Sequence, residues 1–176
     1  MNGPRGRAIV LMGVTGVGKT TVGRLLAERL GARFLEGDAF HPPANVEKMR
    51  AGIPLEDADR WPWLETLRAE LARELAAGAT VVLACSALKR AYRDLLRRAG
   101  PEVRFVHLVG PEELVARRLA GRRGHYMPPS LLPSQLATLE DPVGEPDVLR
   151  EPIDRPPEAI VASIIARLGA ARPDGG

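Results

Sequence analysis

Eight residues near the start of the chain have the types and spacing needed to hold phosphate. They read Gly13-Val-Thr-Gly-Val-Gly-Lys-Thr20 and match the pattern G-x-x-x-x-G-K-[ST] at every fixed position. Glycines let the backbone curl so that successive N–H groups point inward at phosphate oxygens. Lys19 can then reach the β- and γ-phosphates, and the Thr20 hydroxyl can ligate Mg²⁺. The predicted nucleotide contacts are Gly13, Val14, Thr15, Gly16, Val17, Gly18, Lys19, Thr20 and Thr21.

The sequence around this loop supplies the elements that the chemistry requires. A short apolar run at 8–12 predicts a buried strand before the loop, and apolar spacing over 20–30 predicts a helix after it. The alternative is a chance glycine turn with an exposed lysine, which would need neither a strand before it nor a helix after it. The chain has no N-K-x-D tetrapeptide that would read guanine, and 176 residues are few for a motor. A kinase acting on a small acceptor is therefore favoured.

Two carboxylates follow the second predicted strand, at 33–35. Asp38 is expected at the carboxyl end of that strand, where ligands bind in open α/β sheets. There it could hold an acceptor hydroxyl and receive its proton during phosphoryl transfer; the alternative is a turn cap. Glu36 could hold a metal-bound water, or it could be a solvated charge at the strand end.

Strand-like and helix-like segments alternate along the whole chain. Strands are predicted at 8–12, 33–35, 80–85, 103–109 and 148–153, and helices at 20–30, 61–77, 88–99, 112–120 and 158–168. This alternation predicts an α/β fold with a parallel sheet and helices on both faces. Pro152 restricts the last strand to a sheet edge or a strand end.

Composition and charge narrow the function further. Apolar residues make up 45% and charged residues 27% of the chain, which excludes a disordered protein. No apolar run approaches the roughly 20 residues of a transmembrane helix, and the run at 8–12 is too short for a signal peptide. A net charge of +3 with 4% aromatics argues against nucleic acid as a partner. The single cysteine makes a cytoplasmic location the default.

Residues 12–142 resemble the gluconokinases, small P-loop kinases that are related in plan to shikimate kinase and phosphorylate D-gluconate on its 6-hydroxyl. The matching stretches, in order, are 13–20, Glu36-Gly-Asp38 with His41-Pro42 and Asn45, Lys48-Met49, Gly52-Ile-Pro-Leu55, Asp57-Ala-Asp-Arg60, Pro62-Trp-Leu64, Cys85-Ser-Ala-Leu-Lys89, Tyr92-Arg-Asp94, Gly124-His-Tyr126, Leu132, Ser134-Gln135 and Leu139-Glu140. The resemblance implies ATP and Mg²⁺ as cofactors, 6-phosphogluconate and ADP as products, and a homodimer. It also implies a three-layer α/β/α P-loop kinase fold with a five-stranded parallel sheet and a mobile lid.

Gluconate carries a carboxylate and a row of hydroxyls, so its site needs a cation and several polar groups. Arg60 is the leading candidate to bind the carboxylate, with an ion pair to Asp57 or Asp59 as the alternative. Lys89 and Arg93 offer a second cationic cluster at the same sheet edge, with a solvated helix face as the alternative. The polar residues His41 and Asn45 could bind sugar hydroxyls. The predicted acceptor contacts are Asp38, His41, Asn45, Arg60, Ser86, Lys89 and Arg93.

A cluster of basic residues over 117–125, at the end of the helix at 112–120 and directly after it, is typical of a lid. By its position in the family pattern it places Arg118 and Arg122 over ATP, with the lid at about 122–133; a solvated helix end is the alternative. The whole chain, 1–176, is expected to form one domain with its core at 8–169 and frayed ends at 1–6 and 172–176. Two other functions remain open, a kinase for another acceptor such as shikimate and a nucleotide-binding regulatory module.

Overall fold

The computed structural model describes residues 6–121 and 131–170. Five strands form one sheet in the order β2-β3-β1-β4-β5, and every neighbouring pair is parallel. Their bounds are Ala8–Met12 (β1), Arg33–Glu36 (β2), Val81–Ala84 (β3), Val103–Val109 (β4) and Val148–Pro152 (β5). The predicted five-stranded parallel sheet is confirmed.

The central strands are buried on both faces, which explains their unbroken apolar sequence. Every residue of β1 and of β3 is buried, as a strand covered by helices on both sides requires. β5 lies at the edge of the sheet and ends at Pro152, the position that a residue without an N–H donor tolerates.

Helices cover both faces of this sheet. In the described residues they are Lys19–Leu30 (α1), Pro43–Arg50 (α2), Asp57–Ala76 (α3), Arg90–Arg97 (α4), Glu112–Ala120 (α5), Leu132–Thr138 (α6) and Pro157–Ala170 (α7). α1 packs against α7, and α3 packs against α4. The two pairs lie on opposite faces because the connections that leave β1 and β2 run in opposite directions across the sheet and are right-handed. The fold is a three-layer α/β/α sandwich.

Three helical segments differ from the sequence prediction. α2 and α6 were not expected, because eight and seven residues are too short to show a clear apolar period. α3 begins at Asp57 rather than at residue 61, so that Pro62 lies inside the helix. The Asp59 carboxylate accepts a hydrogen bond from the Glu56 N–H at 2.9 Å and stabilises this earlier start.

The strand order determines where a ligand can bind. β1 and β3 are neighbours, but the chain leaves β1 toward one side of the sheet and leaves β3 toward the other. Such a switch point opens a crevice beyond the carboxyl ends of the two strands. The phosphate loop follows β1 and therefore lies in this crevice. Within 6–121 and 131–170, no helix has the length and apolar character that crossing a bilayer demands.

Candidate active site

A cavity of about 460 Å³ lies at the carboxyl edge of the sheet. Its wall combines the phosphate loop, the end of β2, the start of α3, α6 and the segment after β5. The polar and charged residues in this wall are Thr15, Lys19, Thr20, Thr21, Glu36, Asp38, His41, Arg60, Ser86, Arg118, Ser134, Gln135 and Arg155. Residues predicted for the nucleotide and for the acceptor therefore share one cavity.

The phosphate loop has the backbone conformation that its glycines predict. Gly16 and Gly18 have φ values of 88° and 97°, which residues with a side chain rarely adopt. A Cβ on Gly13 would lie only 2.8 Å from the Leu108 carbonyl oxygen, so the loop can turn here only around a glycine. Lys19 Nζ donates to the carbonyl oxygens of Gly13 and Val14, both at 2.9 Å. The ammonium group of Lys19 is thus held over the loop in which the phosphates are expected to bind.

Thr20 and Glu36 meet at the floor of the cavity, where Thr20 Oγ1 donates a short hydrogen bond to Glu36 Oε2. A hydroxyl and a carboxylate are the hard oxygen ligands that Mg²⁺ prefers, either directly or through water. These two side chains come from α1 and the end of β2, beside the phosphate loop. Their chemistry and position fit the predicted metal site.

Asp38 lies on a single 3-10 turn, Gly37–Phe40, directly after β2. A Cβ on Gly37 would come within 2.3 Å of the Ala84 carbonyl oxygen, so glycine lets this turn pack against the end of β3. Trp63 Nε1 donates to the Gly37 carbonyl oxygen at 2.8 Å and fixes the turn from α3. The Asp38 side chain is 45% exposed at the cavity wall, where an incoming hydroxyl can reach it.

His41 supports the same turn. Its ring stacks on Trp63 with centroids 3.9 Å apart, and its Nε2 lies 3.8 Å from Asp38 Oδ1. Burial, helped by the nearby Arg60 charge, lowers the His41 pKa from 6.5 to about 4. The ring is therefore neutral at neutral pH and makes no ion pair with Asp38.

Arg60 lies in the cavity wall at the start of α3. Its Nη1 donates to the Tyr92 hydroxyl at 2.7 Å, and its guanidinium carbon lies 5.4 Å from the centroid of the Tyr92 ring. The carboxylates proposed as alternative partners are bound elsewhere: Asp59 by Lys48 at 2.8 Å, and Asp57 by the Tyr92 hydroxyl and by Lys89. Arg60 is thus oriented by an aromatic hydroxyl and stays directed at the cavity.

The predicted role of Arg93 in binding the acceptor is wrong. Arg93 is fully buried, and its five N–H donors are used by two oxygens of Glu145 and by the carbonyl oxygens of Ala87, Leu88 and Glu140. It can offer no hydrogen bond to a ligand. Arg93 instead ties the segment after β3 to the segment around Glu145.

Two further predicted acceptor contacts do not line the cavity. The Asn45 side chain is buried on α2, where its amide donates to the Asp59 carbonyl oxygen at 2.8 Å and lies 3.2 Å from His41 Nδ1. It positions His41 rather than facing a ligand. Lys89 binds Asp57 at 3.0 Å beside Tyr92, outside the cavity wall. Ser86 does line the cavity, as predicted.

Of the two predicted lid arginines, the structure describes one. Arg118, near the end of α5, donates to the Ile153 carbonyl oxygen at 2.9 Å and lines the cavity. It also lines a second, more open cavity, beside Arg117, Asp154 and Arg155. Arg122 and most of the predicted lid, 122–130, lie outside the described residues.

Three site residues were not singled out from the sequence. Gln135 on α6 and Arg155 after β5 lie in the cavity wall, and Tyr92 on α4 orients Arg60. Gln135 and Tyr92 stand within stretches that carry the family resemblance, which was the available signal. Arg155 lies outside those stretches, in the loop around 154–157 that the sequence offers only as a plausible wall for adenine. Its Nη2 donates to Glu151 Oε2 at 2.6 Å.

Comparison with known proteins agrees with this geometry. Residues 9–142 match the family model described as an AAA domain, AAA_33. A curated gluconokinase of Gluconobacter oxydans (strain 621H) is 50% identical over 96% of this chain and 94% of its own length. The crystal structure of a gluconokinase from Sinorhizobium meliloti 1021 is 48% identical, with a TM-score of 0.82 over 96% of this chain and 94% of that one.

The chain is also similar to the unliganded crystal structure of a sugar kinase from Janibacter sp. HTCC2649. The two are 45% identical, with a TM-score of 0.89 over 94% of this chain and 96% of that one. These matches extend over almost the whole length of each protein. With the phosphate loop in a cavity at the carboxyl edge of the sheet, and with half of its residues identical to a curated relative over almost the whole length of both, the chain belongs to the gluconokinase family.

Proposed function

We propose that this protein transfers the γ-phosphoryl group of ATP to the 6-hydroxyl of D-gluconate, giving 6-phospho-D-gluconate and ADP. The observation that carries the proposal is the single cavity in which the phosphate loop faces Asp38 and Arg60. A kinase needs its nucleotide and its acceptor side by side, because catalysis of phosphoryl transfer consists largely of positioning and charge stabilisation.

The residues of the cavity divide between the two substrates. The amides of the phosphate loop and the N-terminus of α1 bind the phosphates, and Lys19 neutralises the charge that develops as the phosphoryl group moves. The oxygen of the gluconate 6-hydroxyl forms a bond to the γ-phosphorus, while the bond from the γ-phosphorus to the bridging β-phosphate oxygen breaks. As this happens, the Asp38 carboxylate accepts the proton of the 6-hydroxyl. Arg118 adds positive charge from the nucleotide side, where the second cavity beside the 154–157 segment offers a place for the adenine base.

Thr20 and Glu36 are the residues that would hold Mg²⁺. When bound, the ion supplies positive charge to the β- and γ-phosphate oxygens. The Thr20–Glu36 hydrogen bond holds both oxygens together in the wall of the cavity that Lys19 also lines. The role of the Thr20 and Glu36 side chains is to orient the triphosphate toward Asp38.

Arg60 is proposed to bind the gluconate carboxylate. Arg60→Ala should raise the KM for gluconate by about 10- to 100-fold, because a hydrogen bond to a charged group contributes about 1.5–3 kcal/mol. The KM for ATP should stay within about twofold, since the two substrates use separate groups of the cavity. Steady-state kinetics with each substrate varied in turn measure both values.

Two further variants make this test more specific. Tyr92→Phe removes the hydroxyl that orients Arg60 and should raise the gluconate KM by a smaller factor in the same direction. Arg68→Ala, on the same helix but paired with Glu65, should leave both KM values unchanged. A larger change in the KM for ATP than in that for gluconate would remove Arg60 from the acceptor site.

A panel of acceptors tests the proposed reaction as a whole. Purified protein with ATP and Mg²⁺ should release ADP rapidly with D-gluconate and slowly with shikimate or with nucleosides. Rapid turnover of shikimate without turnover of gluconate would mean another small-molecule kinase. Tight binding of ATP without any acceptor-stimulated release of ADP would mean a regulatory module.

We further infer, from the family resemblance, that the protein acts as a homodimer. Its mass in solution should then be about twice the 19.0 kDa of one chain. The single cysteine is buried in the core, and this suits a reducing cytoplasm. Small-molecule substrates, rather than nucleic acid or a membrane surface, are the proposed partners.

A further inference from the structure

The Asn45 side chain makes two contacts through one nitrogen atom. Its Nδ2 donates a hydrogen bond to the Asp59 carbonyl oxygen at 2.8 Å, and the same atom lies 3.2 Å from His41 Nδ1. A carbonyl oxygen can only accept a hydrogen bond, so the atom that faces Asp59 must be the NH₂ nitrogen of the amide and not its oxygen. An NH₂ group carries two N–H donors, and His41 Nδ1 is the partner for the second.

This contact determines which ring nitrogen of His41 carries the proton. The NH₂ group of Asn45 cannot accept a hydrogen bond, so its contact with Nδ1 is favourable only when Nδ1 is an unprotonated acceptor. Burial lowers the His41 pKa from 6.5 to about 4, so the ring carries one proton at neutral pH. That proton must then be on Nε2. Asn45 thus holds His41 in the neutral form that has an Nε2–H donor.

The Nε2–H group lies beside Asp38. The two nitrogens of an imidazole ring are directed to different sides, so the contact of Nδ1 with Asn45 leaves Nε2 on the side away from Asn45. Nε2 lies 3.8 Å from Asp38 Oδ1, which is too far for a hydrogen bond. Within 6–121 and 131–170, no fully enclosed side-chain nitrogen lacks a hydrogen-bond partner. Nε2 has no such partner there and must therefore border the open space of the cavity that His41 lines.

Trp63 holds the imidazole ring in this place. The two rings are stacked with centroids 3.9 Å apart and planes 19° from parallel. Trp63 is itself buried and is fixed by its hydrogen bond to the Gly37 carbonyl oxygen. The His41 side chain is only 2% exposed, so the ring has little room to rotate. The Nε2–H donor is therefore positioned before any substrate arrives.

A separation of 3.8 Å suits one oxygen atom bound between His41 Nε2 and Asp38 Oδ1. Hydrogen bonds of the usual length, about 2.7–3.0 Å, can reach from both atoms to a hydroxyl oxygen between them. That hydroxyl would donate its proton to Asp38 and accept a hydrogen bond from His41. A carboxylate accepts several hydrogen bonds, so the other contacts of Asp38 are compatible with this one.

We propose that Asn45 is a positioning residue that holds His41 as an Nε2–H donor, and that His41 and Asp38 together bind the acceptor hydroxyl that is phosphorylated. A hydroxyl oxygen has two lone pairs, so one stays directed at the γ-phosphorus when the other binds His41. The proton still passes to Asp38, and His41 keeps its own proton throughout. This inference rests on the proposed kinase function.

NMR can measure the protonation of His41 without any substrate. Long-range ¹H–¹⁵N correlation spectra distinguish a protonated ring nitrogen from an unprotonated one. The chain has three histidines, and the signals lost in His41→Phe identify His41. We expect a protonated Nε2 and an unprotonated Nδ1 at pH 7. Asn45→Asp replaces the NH₂ donor with a carboxylate oxygen and should place a proton on Nδ1. A proton on Nδ1 in the wild type would overturn the inference.

Steady-state kinetics separate a contact with the acceptor from support of the turn. His41→Phe keeps a ring to stack on Trp63 but has no N–H donor, and it should lower kcat/KM for gluconate by about tenfold. His41→Gln can place an amide N–H near the position of Nε2 and should stay within about threefold of the wild type. The shorter amide of His41→Asn reaches only the Nδ1 position, so this variant should be as slow as His41→Phe.

Two measurements serve as controls. The dissociation constant for ATP should stay within about twofold in all three His41 variants, because the proposed contact is with the acceptor. Glu47→Gln changes an exposed side chain on α2, the helix that carries Asn45, and should keep wild-type kinetics.

The possible results separate the inference from the proposed function. Full activity in His41→Phe, or equal losses in His41→Gln and His41→Asn, would mean that His41 only supports the turn. Either result would overturn the inference while the proposed function stands. Wild-type protein that phosphorylates no acceptor would overturn the proposed function and the hydroxyl contact with it.

Discussion

Lys19→Ala should reduce kcat/KM by about a thousandfold or more, because it removes the charge that meets the transferring phosphoryl group. In the structure the Lys19 ammonium lies over the loop and binds the Gly13 and Val14 carbonyl oxygens. Phosphate oxygens can replace these carbonyls as partners without moving the loop. The variant loses both the interaction with ATP and the stabilisation of the transition state, so ATP affinity and kcat should fall together.

Initial rates at saturating gluconate and calorimetric titration with ATP would measure the two effects of this change. Lys48→Ala is a suitable control, because Lys48 pairs with Asp59 at 2.8 Å and does not line the cavity. It should keep most of the activity. A Lys19→Ala enzyme with turnover within tenfold of the wild type would contradict the assignment of this loop to the phosphates.

The phosphate loop could be predicted because its geometry depends on neighbours in sequence. Eight consecutive residues contain the glycines that permit the turn and the lysine that folds back over it. The strand before it and the helix after it show equally local patterns, and the structure confirms both. Parallel pairing then follows from the alternation of strands and helices, which is why the sheet was predictable too.

Arg93 shows why the acceptor side was harder to predict. On the sequence it is one of several charges on a basic helix, and nothing nearby indicates a partner. Its partner Glu145 lies 52 residues further along the chain. Burial of such a pair is favourable only when every hydrogen bond is satisfied, and this depends on tertiary packing. A local pattern could therefore not distinguish Arg93 from Arg60, which does line the cavity.

The short helices were missed for a related reason. α2 begins at the second of two consecutive prolines, Pro42 and Pro43. It is stabilised by the Asn45 side-chain amide, which donates to the Asp59 carbonyl oxygen on the following helix. α6 is anchored through Glu140 to the segment after β3. His41 lies just before α2 and Gln135 lies on α6, and both side chains line the cavity. Helices this short derive their stability from tertiary contacts rather than from their own sequence.

Asp38→Asn should lower kcat by about a hundred- to ten-thousandfold while leaving ATP affinity close to the wild type. Asparagine has the same shape and can still accept a hydrogen bond from the acceptor hydroxyl, but its amide cannot take up the proton. The surrounding turn should be retained, because Trp63 holds it through the Gly37 carbonyl oxygen, which the substitution leaves in place. The loss would therefore report on chemistry rather than on folding.

Asp94→Asn provides the matched control for this change. Asp94 is a largely exposed carboxylate on α4 that pairs with Arg97 at 2.8 Å, outside the cavity wall. It should retain wild-type turnover, whereas Asp38→Asn should show the low kcat with both substrates saturating. If Asp38→Asn instead raised only the KM for gluconate, Asp38 would position the acceptor without taking its proton. Full turnover in Asp38→Asn would exclude both roles, and the proton would have to leave through another group of the cavity, with Glu36 the nearest carboxylate along the chain.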